Sequence, residues 1–500
     1  MPEKPAVLLI TADELLCEAL SCYGNQAVAT PNIDRIAATG LRFDSAYTVS
    51  PWCLPARCSM LTGLLPHNSG AYSNFRKCAL DEGVPNLYKE LKTYGYVTAH
   101  IGKCHFAPVP YGRTQPDKTL PYGEFRNYYL RLGMDRLALQ DDKQVSVWFR
   151  DDYADELDRA GLLEDYRNAV WEGKNNGRVF PFPGPAEWHP DTWVGRKAVQ
   201  CIEQHDPDKP FFAWISFSGP HYPMDPPAEY LDCVDMSRDT LRRQTEGEFD
   251  NPDRLHHTSY HGRGGIDGCA AAPAGACKNY DDAYWRRMRH HYYANVAQID
   301  EWVGRILDAA EKRFEDNTLV IFTADHGEML GNHGLWGKHD SAYREVLRIP
   351  LAVNDPGSTA TPASSAASSQ QKTEPAGTGP GIDALVSTVD VTATCLAAAG
   401  GPSEFGDGKD LRQLVPAGGR THVLSEGEGF VAITDGIHTL VRVQQPGRRP
   451  GQPGRFHDEL YDRSVDPGQV RNFIDDPDHA PAVATLRAKA LNTMMETLLP

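Results

Sequence analysis

The chain has 500 residues and a formal charge of -17, with 41% hydrophobic and 23% charged side chains. This length suits a large α/β unit with a smaller one appended, and the composition excludes global disorder and a fibrous chain. The acidic excess excludes a general nucleic-acid binder, whose phosphate contacts need a basic surface, so an anionic ligand requires a locally positive pocket.

The first apolar run, Ala6 to Thr11, is too short for a signal-peptide core and lacks a basic leader, so it reads as a strand. Similar β-branched and apolar runs at 97–101, 211–217, 319–323 and 349–353, with helical stretches between them, predict a large, mostly parallel α/β sheet flanked by helices on both faces. The stretches 108–190 and 225–285 are rich in Trp, Tyr, Arg and Asp without a sustained period. They read as loops and short helices that shape a pocket. Asp282 to Arg313 repeats its apolar residues at helix spacing. Residues 357–381 are small, polar and aperiodic, which predicts a mobile surface loop within the main domain, 1–414. Residues 415–500 read as a small antiparallel sheet with one helix from about Ala480 to Leu498. No run is long enough to cross a bilayer. The eleven cysteines lack regular spacing and fit reduced thiols in a cytoplasmic protein.

Two places carry chemistry. Pro55 can begin a helix that Gly63 ends, which sets Cys53 at a positive helix N-terminus with Arg57 one turn along, a location suited to sulfate or phosphate. Asp13-Glu14 follows the first strand and Asp325-His326 follows a later one. A single Asp after a strand is usually a helix cap, but two such strand ends suggest a hard-cation site built from carboxylates.

Cys53-Leu54-Pro55-Ala56-Arg57, followed after three residues by Leu61-Thr62-Gly63, resembles the motif that the sulfatase family of the alkaline phosphatase superfamily presents to its maturation enzyme. The resemblance implies that Cys53 becomes formylglycine, whose hydrated aldehyde carries two hydroxyls on one carbon. It also implies one divalent metal ion held by Asp13, Glu14, residue 53, Asp325 and His326. Calcium ranks first by family habit, and His326, where relatives often have Asn, admits manganese or magnesium.

Three further motifs resemble family elements: Gly102-Lys103-Cys104-His105, Pro220-His221-Tyr222-Pro223, and the basic Lys338 beyond the metal pair. By resemblance, Lys103, Lys338 and Arg57 offset the charge of the oxyanion, His221 or Lys338 protonates the leaving alkoxide, and His105 takes the proton that releases sulfate. Asn74 and His339 are weaker candidates for substrate contacts, and both read as ordinary hydrogen-bonded or solvated groups. Glu459-Leu460-Tyr461-Asp462 and Asn472 resemble the family's C-terminal part.

The implied activity is hydrolysis of a sulfate monoester, with a small sulfated substrate and a formylglycine-generating maturation enzyme as partners, and neither nucleic acid nor membrane. One alternative keeps the site for a phosphonate monoester or phosphodiester. Another, encouraged by Glu14 where relatives carry Asp, is a silent relative that only binds sulfated ligands. The ester, the metal and the oligomeric state stay open.

Overall fold

The computed structural model describes residues 4–74, 78–108, 122–143, 150–173, 178–240, 244–261, 276–338, 341–356, 381–427, 429–445 and 455–498. The expected loop 357–381 lies outside these residues except for Gly381, as does His339.

The centre is an eight-stranded sheet in the order Arg136–Leu139, Val97–Gly102, Phe211–Pro220, Ala6–Asp13, Thr318–Ala324, Leu351–Asn354, Leu41–Phe43, Gly381–Ile382. Only Leu351–Asn354 runs against the others. Every residue of Ala6–Asp13, Phe211–Pro220 and Thr318–Ala324 is buried. A strand covered on both faces has no polar side, which is why these segments read as unbroken apolar runs.

Helices Pro190–Glu203 and Asp282–Phe314 pack on each other and on Phe211–Pro220. They approach so closely that a Cβ at Gly195 would collide with the Trp302 ring. Helices Cys53–Thr62, Leu87–Thr93 and Thr388–Ala398 form a second packed group. No described helix is long and apolar enough to cross a membrane.

The long helix and the strands at the five apolar runs lie where periodicity predicts. The stretch 108–190 is more regular than its sequence suggests. It contributes the edge strand Arg136–Leu139 and helices Phe125–Arg131, Asp152–Arg159 and Leu163–Gly173. Three of the four residues in that strand are only half-buried, so an edge position rather than an apolar run sets it.

Strands Val423–Gly427, Phe430–Thr434, His438–Gln445 and Arg455–Asp462 form an antiparallel meander. Leu424, Ile433, Leu440 and Leu460 are cross-strand neighbours whose shared core includes Val483 and Leu486 of the helix Ala480–Leu498. The alternate residues Val423, Ala432, Val441 and Tyr461 join a different core with Leu347 and Tyr343. The period-two alternation thus glues the C-terminal helix to one side of this sheet and the main body to the other.

Candidate active site

Five neighbouring strands of the main sheet run parallel, so their carboxyl ends share one edge, the usual place for a site in an open α/β sheet. Asp13 ends its strand, Lys103 follows Val97–Gly102, His221 follows Phe211–Pro220, and Asp325-His326 follows Thr318–Ala324. Gly102 has φ of +100° and no room for a Cβ against the Ser216 carbonyl, so glycine is required there. The same approach lets the Lys103 N–H donate to Ser216 O at 2.9 Å.

The helix carrying Cys53 starts at Cys53 itself, two residues before Pro55, and ends at Gly63 with φ of +70°. Its cap comes from far along the chain: Asn74 Oδ1 accepts the Leu54 N–H at 3.0 Å. Cys53 is only 1% exposed. His326 Nε2 stands 3.1 Å and Lys338 Nζ 3.0 Å from its Sγ. Because His326 Nδ1 lies 2.9 Å from the Gly327 carbonyl, that nitrogen carries the proton and Nε2 presents a lone pair.

Around this thiol, single ligand atoms of Asp13, Cys53, Asp325 and His326 all lie within 4.8 Å of one another, and all four residues are buried. One oxygen of Asp13 has no hydrogen-bond partner among the described residues. Two carboxylates, an imidazole and the atom at position 53 form a donor set that fits a divalent cation. Arg57 stands behind it. Its Nε donates to Asp325 Oδ2 at 2.8 Å, and its Nη1 donates to Ser216 Oγ at 2.8 Å and to the Lys103 carbonyl at 2.9 Å.

Glu14 is next to this group but outside it. Its Oε2 accepts from Lys338 Nζ at 3.1 Å and lies 3.2 Å from His221 Nε2. Burial raises the Glu14 carboxyl well above the usual range, Lys338 opposes the shift and the neighbouring Glu328 adds to it. Burial also works to raise Asp13, but Lys103, Arg57 and Lys338 together hold it well below its usual value. Burial, reinforced by Asp13, pushes the Cys53 thiol up to about 12. His221 is held well below the ordinary histidine range by burial and Lys338. His105 is held low by burial, Lys103 and Arg57, and neither of its ring nitrogens has a partner among the described residues.

The family model described as Sulfatase matches residues 5–401. The chain belongs to the sulfatase family. An uncharacterized sulfatase of Escherichia coli, YidJ, is 28% identical over 95% of this chain and 84% of its own length. An arylsulfatase of Clostridium perfringens is 28% identical over 71% of this chain and 69% of its own. The structure of a phosphonate monoester hydrolase of Agrobacterium radiobacter superposes with a TM-score of 0.74 at 22% identity, covering 99% of this chain and 96% of that one. These likenesses place the chain among the sulfatase enzymes, hydrolases of the alkaline phosphatase superfamily.

All ten residues proposed from the sulfatase-like motifs converge on this strand edge, His105 among them beside Lys103 and Arg57, while Asn74 is spent on the helix cap. Three participants escaped sequence reasoning. Asp142 Oδ2 accepts from Lys103 Nζ at 2.9 Å, and the same ammonium also donates to Asp13. Asp141 Oδ1 accepts the His105 N–H at 2.8 Å. Glu328 Oε1 accepts the Gly337 N–H at 2.6 Å and so shapes the loop that leads to Lys338. An acidic pair after a strand was the available signal for Asp141 and Asp142, and the shortness of Arg136–Leu139 hid it.

Proposed function

We propose that this chain hydrolyses the sulfate monoester of a small alcohol, using a formylglycine made from Cys53 and one divalent cation. The observation that carries the reading is the buried group of Asp13, Cys53, Asp325 and His326 at the start of a helix, with the ammonium of Lys338 against the thiol. In the family's chemistry, hydrated formylglycine supplies two hydroxyls on one carbon, one to attack sulfur and one to expel sulfate by C–O cleavage. Asp13, Asp325, His326 and residue 53 would hold the cation, which would supply positive charge to the sulfate group. Calcium ranks first, with manganese and magnesium admitted by the His326 nitrogen.

The chain's own residues do the rest. Lys103 and Lys338 face the oxyanion with fixed positive charge in a water-poor site, where such charge is worth far more than in bulk water. Arg57 is committed to Asp325, Ser216 and the Lys103 carbonyl, and it orients the cation-binding carboxylate. Glu14 anchors Lys338 and His221 together. Burial and Lys338 keep His221 low in proton affinity, and an entering oxyanion raises that affinity, which readies it to protonate the leaving oxygen. His105, low in proton affinity and with its ring nitrogens uncommitted, suits the removal of a proton.

A second reading, hydrolysis of a phosphonate monoester or phosphodiester at the same site, is favoured by the nitrogen ligand His326. Parallel assays of the matured chain with aryl sulfate and aryl phosphonate esters separate the two. The sulfatase reading predicts faster sulfate turnover and a Cys53 peptide lighter than the thiol form. A phosphonate preference of several orders, or an unmodified thiol in a fully active protein, overturns it.

A further inference from the structure

Three consecutive buried residues beyond the edge strand Arg136–Leu139 each grip a different part of the site. Asp141 Oδ1 accepts the backbone N–H of His105 at 2.8 Å and that of Cys104 at 3.0 Å. Asp142 Oδ2 takes the Lys103 ammonium at 2.9 Å. Lys143 Nζ donates to Asp225 at 3.0 Å, to Asn295 Oδ1 at 2.7 Å and to the carbonyl of Pro223 at 3.3 Å. Asn295 in turn donates to Asp191 at 3.0 Å, and Asp191 accepts the Gly219 N–H at 2.8 Å. Gly219 and Pro223 bracket His221, so the loop is tied at both ends to one buried cation.

A fully buried ammonium persists only where its charge is paired and its hydrogen bonds are met. Lys143 satisfies both conditions, with Asp225 and Asp191 as counter-charges. One of its acceptors belongs to the His221 loop itself. The same three residues therefore join the loop of His221 to the strand end of Lys103 and His105, groups that lie far apart in sequence.

We propose that Asp141-Asp142-Lys143 is a positioning segment that holds His105, Lys103 and His221 in register, and that Lys143 fixes His221 for proton delivery to the leaving oxygen. The proposal rests on the sulfatase reading. The segment acts through these three residues, and its effect should depend on how much each substrate needs that proton.

The test compares 4-nitrophenyl sulfate, whose leaving oxygen needs little protonation, with phenyl sulfate, whose leaving oxygen needs more, on matured protein loaded with metal. Lys143→Met should lower kcat for phenyl sulfate by about tenfold more than for 4-nitrophenyl sulfate, within what general-acid catalysis supplies. KM for either ester should change little. Amide hydrogen exchange should quicken over residues 219–223 and stay unchanged over 97–102. Lys143→Arg should recover the ratio of the two esters. Asp142→Asn, which acts on Lys103 and hence on the sulfate group, should weaken kcat/KM for both esters alike. If Lys143→Met fails to fold, the near-isosteric Asp225→Asn reports the same ratio. Equal loss for the two esters, or no loss, in whichever of these variants folds overturns the proposal. A wild-type chain inert toward both esters overturns the sulfatase reading instead.

Discussion

Lys338 Nζ stands 3.0 Å from Cys53 Sγ, although 285 positions separate the two residues in the chain. The same ammonium reaches Glu14 Oε2 at 3.1 Å, so one cation joins a strand end, a helix start and a late loop. Removing any of the three partners leaves the others buried with unbalanced charge or an unmet hydrogen bond, and the predictions below turn on that dependence.

Cys53→Ala should abolish aryl sulfate turnover and shift the melting temperature by only a few degrees, because the residue is a nucleophile precursor at a helix start rather than a large core filler. Cys53→Ser should leave a single hydroxyl that accepts sulfate and cannot expel it, visible as a trapped adduct by intact mass. Because the whole helix Cys53–Thr62 is buried, the maturation enzyme should modify the unfolded chain and leave the folded protein untouched. Wild-type turnover in Cys53→Ala refutes the assignment.

Chelation should silence the enzyme and lower its melting temperature. A cation present at about 100 times its Kd stabilises the folded chain by about 2.7 kcal/mol, and chelation removes that linkage. Reloading with calcium, manganese or magnesium while following the melting curve ranks the three. Identical melting and activity with and without chelator would falsify the cation site.

Glu14→Gln should separate holding the cation from holding Lys338. If Glu14 acts on Lys338 and His221, kcat falls by about a hundredfold, the cost of misplacing reacting groups by about an ångström, while metal affinity measured by calorimetry barely changes. Asp325→Asn should instead weaken metal binding by about tenfold or more. Equal loss of metal affinity in the two variants would make Glu14 a ligand.

The link between the Cys53 helix region and the C-terminal sheet should depend on pH through His67. Its Nδ1 lies 2.8 Å from Glu426, and its Nε2 lies 2.8 Å from Thr497 of the last helix. The hydrogen bond to Glu426 raises the His67 pKa against a smaller effect of burial. A raised folded-state pKa stabilises fully below the unfolded value, about 6.5, and the contribution is lost as pH rises through the folded value. The gap in melting temperature between wild type and His67→Gln should therefore be widest in mild acid and close toward alkaline pH. A gap that widens with pH contradicts this account.

The sequence alone pointed to the family, the mostly parallel α/β sheet and ten candidate site residues, because each rests on a local pattern. Cys53 to Gly63 is a contiguous motif, and unbroken apolar runs mark strands covered on both faces. The carboxyls and cations follow strands whose ends the parallel topology gathers at one edge. The tertiary structure alone decided which of these groups pair with one another. Glu14 faces Lys338 and His221, Arg57 braces Asp325, and Asp141-Asp142-Lys143 ties three distant segments together. Such pairings depend on which buried charges meet across the sheet edge, and neither spacing nor periodicity along a chain encodes that meeting.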